Sequence, residues 1–140
     1  MRQLTIILLL CIGVGCTSTK NTTIKSDKLN GTWVPVKQEM GGKELPTIAF
    51  EKYRLTITDS LYTYGTYNTD KGVTTYADGK MDIYGKEGVN AGKHFTAIYK
   101  YENQQLTICY NLLGDSYPES FETKSKPTLF ISVFKNESMK

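Results

Sequence analysis

The sequence predicts an all-β domain, about eight antiparallel strands closed into an up-and-down barrel, with a short helical or irregular segment after the first strand. Two observations carry this. From residue 29 onward, short runs of alternating apolar and polar residues are separated by Gly, Asn and Asp turn signals, the pattern of half-buried strands. The runs also follow one another through short connections, and hairpin-linked strands of this number close most economically into a barrel, which removes exposed edges. A length of 140 residues leaves room for one such domain, and the sequence contains no internal repeat.

The first fifteen residues are expected to lie outside it. Arg2 supplies a positive start, residues 4–14 are apolar apart from Thr5 and Gly13, and Gly15 precedes Cys16. These are the parts of a secretory signal, too short to span a membrane. Gly13-Val14-Gly15-Cys16 resembles a bacterial lipobox, with Gly13 where leucine is commonest. The resemblance implies that Cys16 is lipidated and becomes the mature N-terminus, anchoring the protein to the cell envelope through its lipid. Residues 16–28 are almost wholly polar, with Ile24 the one aliphatic residue, and bury too little to order themselves. As a flexible tether, a dozen such residues span roughly 20 Å. Of the three cysteines, Cys11 leaves with the signal and Cys16 carries lipid, so Cys109 stands alone without a disulfide framework.

The barrel domain is expected over residues 29–137. Its first strand covers about 32–39, opening with Gly31, Thr32 and the single tryptophan, Trp33, and ending at Gly41-Gly42. Residues 44–52 lack clean alternation and form the irregular segment, a lid or short helical turn. Residues 53–58 place Tyr53, Leu55 and Ile57 on one face, and Asp59-Ser60 turns into a strand at 61–67 that Gly65 bends. Residues 68–79 are the least regular, with a short strand at about 73–76. Strands follow at 80–84 and, past the glycine-rich 85–93 loop, at 94–101. Residues 102–104 turn tightly into 105–110, the clearest hairpin of the chain. A loop at 111–120, a short strand at about 121–123 and a last strand at 128–135, opened by Pro127, complete the set.

Gly31-Thr32-Trp33 at the head of the first strand resembles the opening signature of lipocalins and their calycin relatives. Later blocks resemble a bacterial family of uncharacterised lipocalin-like domains: Asp82-Ile83-Tyr84-Gly85 with Gly92-Lys93, Ala97-Ile98-Tyr99, Leu106-Thr107-Ile108-Cys109, Tyr117-Pro118 with Phe121, and Val133-Phe134-Lys135. The resemblance covers most of the chain after Leu29 and implies architecture rather than chemistry. In lipocalins a basic residue on the last strand packs across the first-strand tryptophan and closes the barrel floor. It implies Lys135 in that role here, with Gly31 and Trp33, in place of the commoner arginine. A cation over an indole contributes about 0.5–2 kcal/mol; the plainer expectation is that Trp33 is simply core.

No catalytic constellation and no metal or cofactor motif emerges. His94 is the only histidine and starts a strand without evident partners. Cys109 lies mid-strand, as an inert packed thiol would. Residues 88–93, GVNAGK, fail as a phosphate loop because three residues rather than four separate the glycines, and His94 stands where Ser or Thr is needed. The carboxylates fall mostly at turns, although Asp82 and Glu122 lie in strand-like segments and could face inward. A formal charge of +3 with dispersed basic residues gives nucleic-acid binding no support.

The ten tyrosines are more informative. Tyr53, Tyr62, Tyr64, Tyr99 and Tyr101 alternate on neighbouring strands. Facing inward they would line a pocket for an amphipathic small molecule, each offering apolar area and a hydroxyl; facing outward they would decorate the sheet. An eight-stranded barrel is either filled by side chains or holds one small ligand. The expected function is therefore a lipid-anchored, non-catalytic envelope protein that binds a small hydrophobic or amphipathic ligand. The alternative is a filled barrel serving as a structural or interaction module for an envelope protein partner.

Overall fold

The structure, a computed structural model, describes residues 29–66 and 69–139. The signal at 1–15, the tether at 16–28 and Cys16 lie outside the described residues. The remainder is an all-β, antiparallel, up-and-down barrel. Its strands are β1 (Gly31–Met40), β2 (Lys43–Glu44), β3 (Arg54–Thr58), β4 (Leu61–Gly65), β5 (Asp70–Ala77), β6 (Lys80–Glu87), β7 (His94–Glu102), β8 (Gln105–Asn111) and β9 (Leu129–Asn136). Each of β3 to β9 pairs with its sequence neighbour, and β1 pairs with both β3 and β9. Eight strands thus close the ring; β2 is a two-residue hairpin on the far end of β1. The architecture is compatible with a lipocalin-like fold.

β1 divides its partners along its length. Gly31 to Trp33 pair with β3, whereas Trp33 to Met40 pair with β9. A bulge between Pro35 and Lys37 shifts the inward set, so that Trp33 and Pro35 are buried before it and Gln38 after it. Pro35 lies where β1 has left β3 and not yet met β2, the one-sided pairing in which a missing donor is tolerated.

One end of the barrel is closed by side chains. Trp33, Leu29, Leu106 and Phe134 are buried there, the indole Nε1 donates to the Leu29 carbonyl at 2.9 Å, and Tyr101 meets the indole edge-on at 5.9 Å. The tryptophan plug is thus present, but the side chain against it differs from the expected one. Lys135 is exposed: it follows inward Phe134, and strand alternation turns it to solvent. Gly31 has φ +137, a conformation that L side chains rarely adopt, and a Cβ there would sit 3.1 Å from Asn136 Nδ2.

The irregular segment after the first strand forms a 3-10 turn at Thr47–Ala49, followed by buried Phe50. It stands where β1 ends and β3 begins, opposite the tryptophan plug. Two sequence expectations need correction. The short strand near Val73 is a full one, β5, eight residues long. No strand forms at residues 121–123; these belong to a long β8–β9 connection laid over the outside of the barrel.

That connection explains why β7, β8 and β9 are apolar on both faces. Cys109, Leu129 and Ile131 form a second buried cluster outside the barrel, with Ile98 and Phe121 packed on it. Fully buried Thr123 accepts from the Gly42 amide at 2.9 Å and donates to Glu39, fastening the connection to the end of β1. Burial pushes the Cys109 thiol up to about 11, which keeps it protonated and unreactive near neutral pH. At pH 8 its alkylation, followed on the Cys109 peptide by mass spectrometry, is expected to proceed only as fast as the barrel unfolds; rapid labelling of the folded protein would contradict this burial.

Candidate functional site

The inward face is not filled along its whole length. Between the tryptophan plug and the opposite end lies a cavity of about 170 Å³. Leu55 and Ile57 (β3), Met81 and Ile83 (β6), Ile108 (β8) and Phe134 (β9) form its apolar walls. Tyr62 and Tyr64 (β4), Phe95 (β7), Tyr110 (β8) and Phe130 (β9) add rings, and Asp70, Thr74 and Asn90 add polar groups.

Alternation places these side chains, and register sets their depth. Tyr62 is opposite Ile57 on one side and Gly72 on the other. A Cβ on Gly72 would approach Tyr62 Cε1 to 2.8 Å and the Tyr84 carbonyl oxygen to 2.0 Å, so glycine there makes room for the ring. Gly85 plays the same part for the β6–β7 loop: a Cβ on it would fall 1.9 Å from the Asn90 carbonyl oxygen. The loop therefore rests on the end of β6 and brings Asn90 to the cavity.

Asp70 holds that loop. Only 5% exposed, its carboxylate accepts from the Asn90 backbone amide at 3.1 Å and from Asn90 Nδ2 at 2.7 Å. The pairing satisfies part of the hydrogen-bonding capacity of a buried charge. Replacing Asn90 with Ala removes the Nδ2 donor, and the expected loss is about 1.5–3 kcal/mol, the range for a hydrogen bond to a charged group, measured by urea unfolding. An unchanged midpoint would show that the loop is held by other contacts.

Burial raises the tyrosine pKa values along this wall. Tyr62 is pushed up by desolvation and then by the charge of Asp70. Tyr64 is pushed up by desolvation, with the Gln38 hydrogen bond opposing; Gln38 Nε2 donates to its hydroxyl at 3.0 Å and to Ser132 Oγ at 3.2 Å. Tyr110 is raised by desolvation most of all. All three are neutral phenols near neutral pH.

Of the five tyrosines singled out in the sequence, Tyr62 and Tyr64 border the cavity. Tyr99 is buried deeper, edge-on to Tyr76 at 6.1 Å, and Tyr101 belongs to the tryptophan plug. Tyr53 stands at the rim, edge-on to Tyr64 at 5.4 Å and 37% exposed. Tyr110, which lines the cavity, could have been found from its i, i+2, i+4 spacing with Leu106 and Ile108. Asp70 and Asn90 carried no such signal. The 3-10 turn at Thr47–Ala49 is the short helical turn expected after the first strand, and its residues are not part of the cavity lining.

His94 has partners after all, on the outer face. Its Nε2 lies 2.7 Å from Asp82 Oδ1, its ring stacks on Tyr84 at 4.5 Å, and the Tyr117 hydroxyl donates to Asp82 Oδ2. Asp82 thus faces outward between β6, β7 and the β8–β9 connection, while Glu122 accepts from the Lys124 amide in that connection. Tyr117, and His94 beside it, hold the Asp82 carboxyl below its ordinary value against the opposing effect of burial. A depressed folded pKa contributes stability above the unfolded carboxylate value, and that contribution is lost as pH falls through the folded one. Asp82→Asn is therefore expected to flatten the loss of stability below about pH 4; the same acid slope in variant and parent would contradict the pairing. Among the described residues no group of His, Cys, Asp and Glu is arranged to hold a metal ion.

Comparison with protein-family models, with curated proteins and with solved structures gives no match.

Proposed function

We propose that this chain is a non-catalytic binding protein that carries one small hydrophobic or amphipathic molecule inside its barrel, tethered to the bacterial cell envelope by lipid on Cys16. The observation that supports the reading is the cavity. A close-packed interior leaves few voids larger than a water molecule, yet this barrel has about 170 Å³ walled by aliphatic and aromatic side chains. A dry cavity of roughly 150 Å³ lined by Leu, Ile and Phe is large enough to bind benzene. The guest is then about the size of one ring.

Native mass spectrometry and thermal shift of the purified full chain with benzene, toluene and indole test this. A bound single-ring compound and a raised melting temperature are expected, with both lost in Ile83→Phe or Ile108→Phe, which fill the space. The absence of binding in the parent, or binding unchanged in both filled variants, would remove the proposal.

A second reading, an interaction module for another envelope protein, draws on the exposed Ile48, Val89 and Leu113. All three lie in connections at the end opposite the tryptophan plug. Crosslinking in intact envelopes that captures one defined partner through these positions would favour it.

A further inference from the structure

The cavity has a sign. Among the described residues Asp70 is the one charged side chain lining it; it is almost wholly buried and has no ion-pair partner there. Its hydrogen-bond partner, Asn90, is neutral. A buried carboxylate without a counter-charge is costly, and truncating or pairing such groups moves stability strongly. Tyr62, Tyr64, Phe95, Tyr110, Phe130 and Phe134 line the same cavity. Ring faces attract cations, and a cage of aromatic side chains is the recurring means of holding an ammonium group stripped of its water.

Resting on the binding reading above, we propose that the guest is a small organic cation, an ammonium bearing alkyl or single-ring substituents, held between Asp70 and the aromatic wall. The apolar substituents occupy the aliphatic side formed by Leu55, Ile57, Met81, Ile83 and Ile108, and the positive nitrogen lies toward Asp70. Two donated hydrogen bonds from Asn90 fix the carboxylate and leave lone pairs free. The same arrangement argues against anions. A carboxylate or phosphate guest would meet Asp70 with no Lys, Arg or His among the described lining residues to offset it, so fatty acids are a poor fit despite the apolar walls. The charge of Asp70 also contributes to keeping Tyr62 and Tyr64 as neutral phenols, whose rings and hydroxyls remain available.

The test uses three probes of nearly one shape and different charge: choline, the neutral 3,3-dimethylbutan-1-ol and the anionic 3,3-dimethylbutanoate, each titrated into the purified full chain by NMR and calorimetry. Choline is expected to bind at least ten times more tightly than the alcohol, and the carboxylate least. Asp70→Asn is expected to erase the difference between choline and the alcohol. Should that variant fail to fold, Tyr110→Phe and Tyr110→Leu decide instead: the preference for choline survives where the ring is kept and falls where it is lost. Choline binding no better than the alcohol overturns the cation proposal while leaving the binding reading intact, and Asp70 is then a loop fastening only. If benzene, toluene and indole also fail to bind, both proposals fall.

Discussion

Trp33→Ala is expected to cost about 3–5 kcal/mol, the usual penalty for truncating a large buried aromatic. Trp33 is 1% exposed, its Nε1 reaches the Leu29 carbonyl, and it fills the end of the barrel where β1 is joined to both β3 and β9. Its removal leaves a cavity bounded by Leu106, Phe134 and Tyr101 and strips the Leu29 carbonyl of its donor. Against a total of about 5–15 kcal/mol for a domain, that is a fifth of the stability or more. Trp33→Phe keeps a ring but not the donor, and an intermediate loss is expected. Lys135→Ala, by contrast, should change the stability measured by urea unfolding by less than about 0.5 kcal/mol, as exposed positions usually do. Equal losses for Trp33→Ala and Lys135→Ala would mean that the closed end is built differently.

The second large effect is expected at Gly85. Adding one methyl there places a carbon 1.9 Å from a backbone oxygen of the β6–β7 loop, a contact that no side-chain rotation relieves. Overpacking of this kind costs about 1–3 kcal/mol. The loop must lift, and lifting it breaks the Asn90 hydrogen bonds to Asp70. Gly85→Ala is therefore expected to lower the urea midpoint and to raise hydrogen exchange at Asn90 and Ala91 more than at the Trp33 end. Uniformly raised exchange through the barrel would show that the loop is not a separate unit.

How far the sequence could be read follows from which positions obey simple alternation. β3, β7 and β8 were legible because Leu55 and Ile57, Phe95 to Tyr101, and Leu106 to Tyr110 alternate cleanly. β5 was not, because its inward positions are Asp70, Gly72 and Thr74, residues chosen by neighbours that are distant in sequence: Asn90 for the first, the Tyr62 ring for the second and the Asp82 carbonyl for the third. Residues 121–123 looked like a strand, but partly buried Phe121 and fully buried Thr123 are covered by lying over the barrel rather than by joining it.

The tyrosines show a further limit. Tyr62, Tyr64, Tyr99 and Tyr101 all turn inward; their period of two put them on a shared face, left open which face that was, and says nothing of depth. Strand register decides that two of them border the cavity while Tyr99 and Tyr101 lie in the packed core and the plug. The polar member of the site, Asp70, was invisible for the same reason that it matters. It lies at a strand end after turn residues, where aspartate ordinarily serves its own backbone, and only the fold brings Asn90 and the ring cluster to it.

The claim on which the functional account rests is that the barrel holds an apolar space, partly open at one side, that accommodates a guest. Crystals of the protein pressurised with xenon test it most directly, because xenon enters dry apolar cavities. The account expects a xenon site bordered by Ile83, Phe95, Ile108 and Tyr110, lost in Ile83→Phe. An interior without xenon, with those side chains in mutual contact across the barrel, would contradict it.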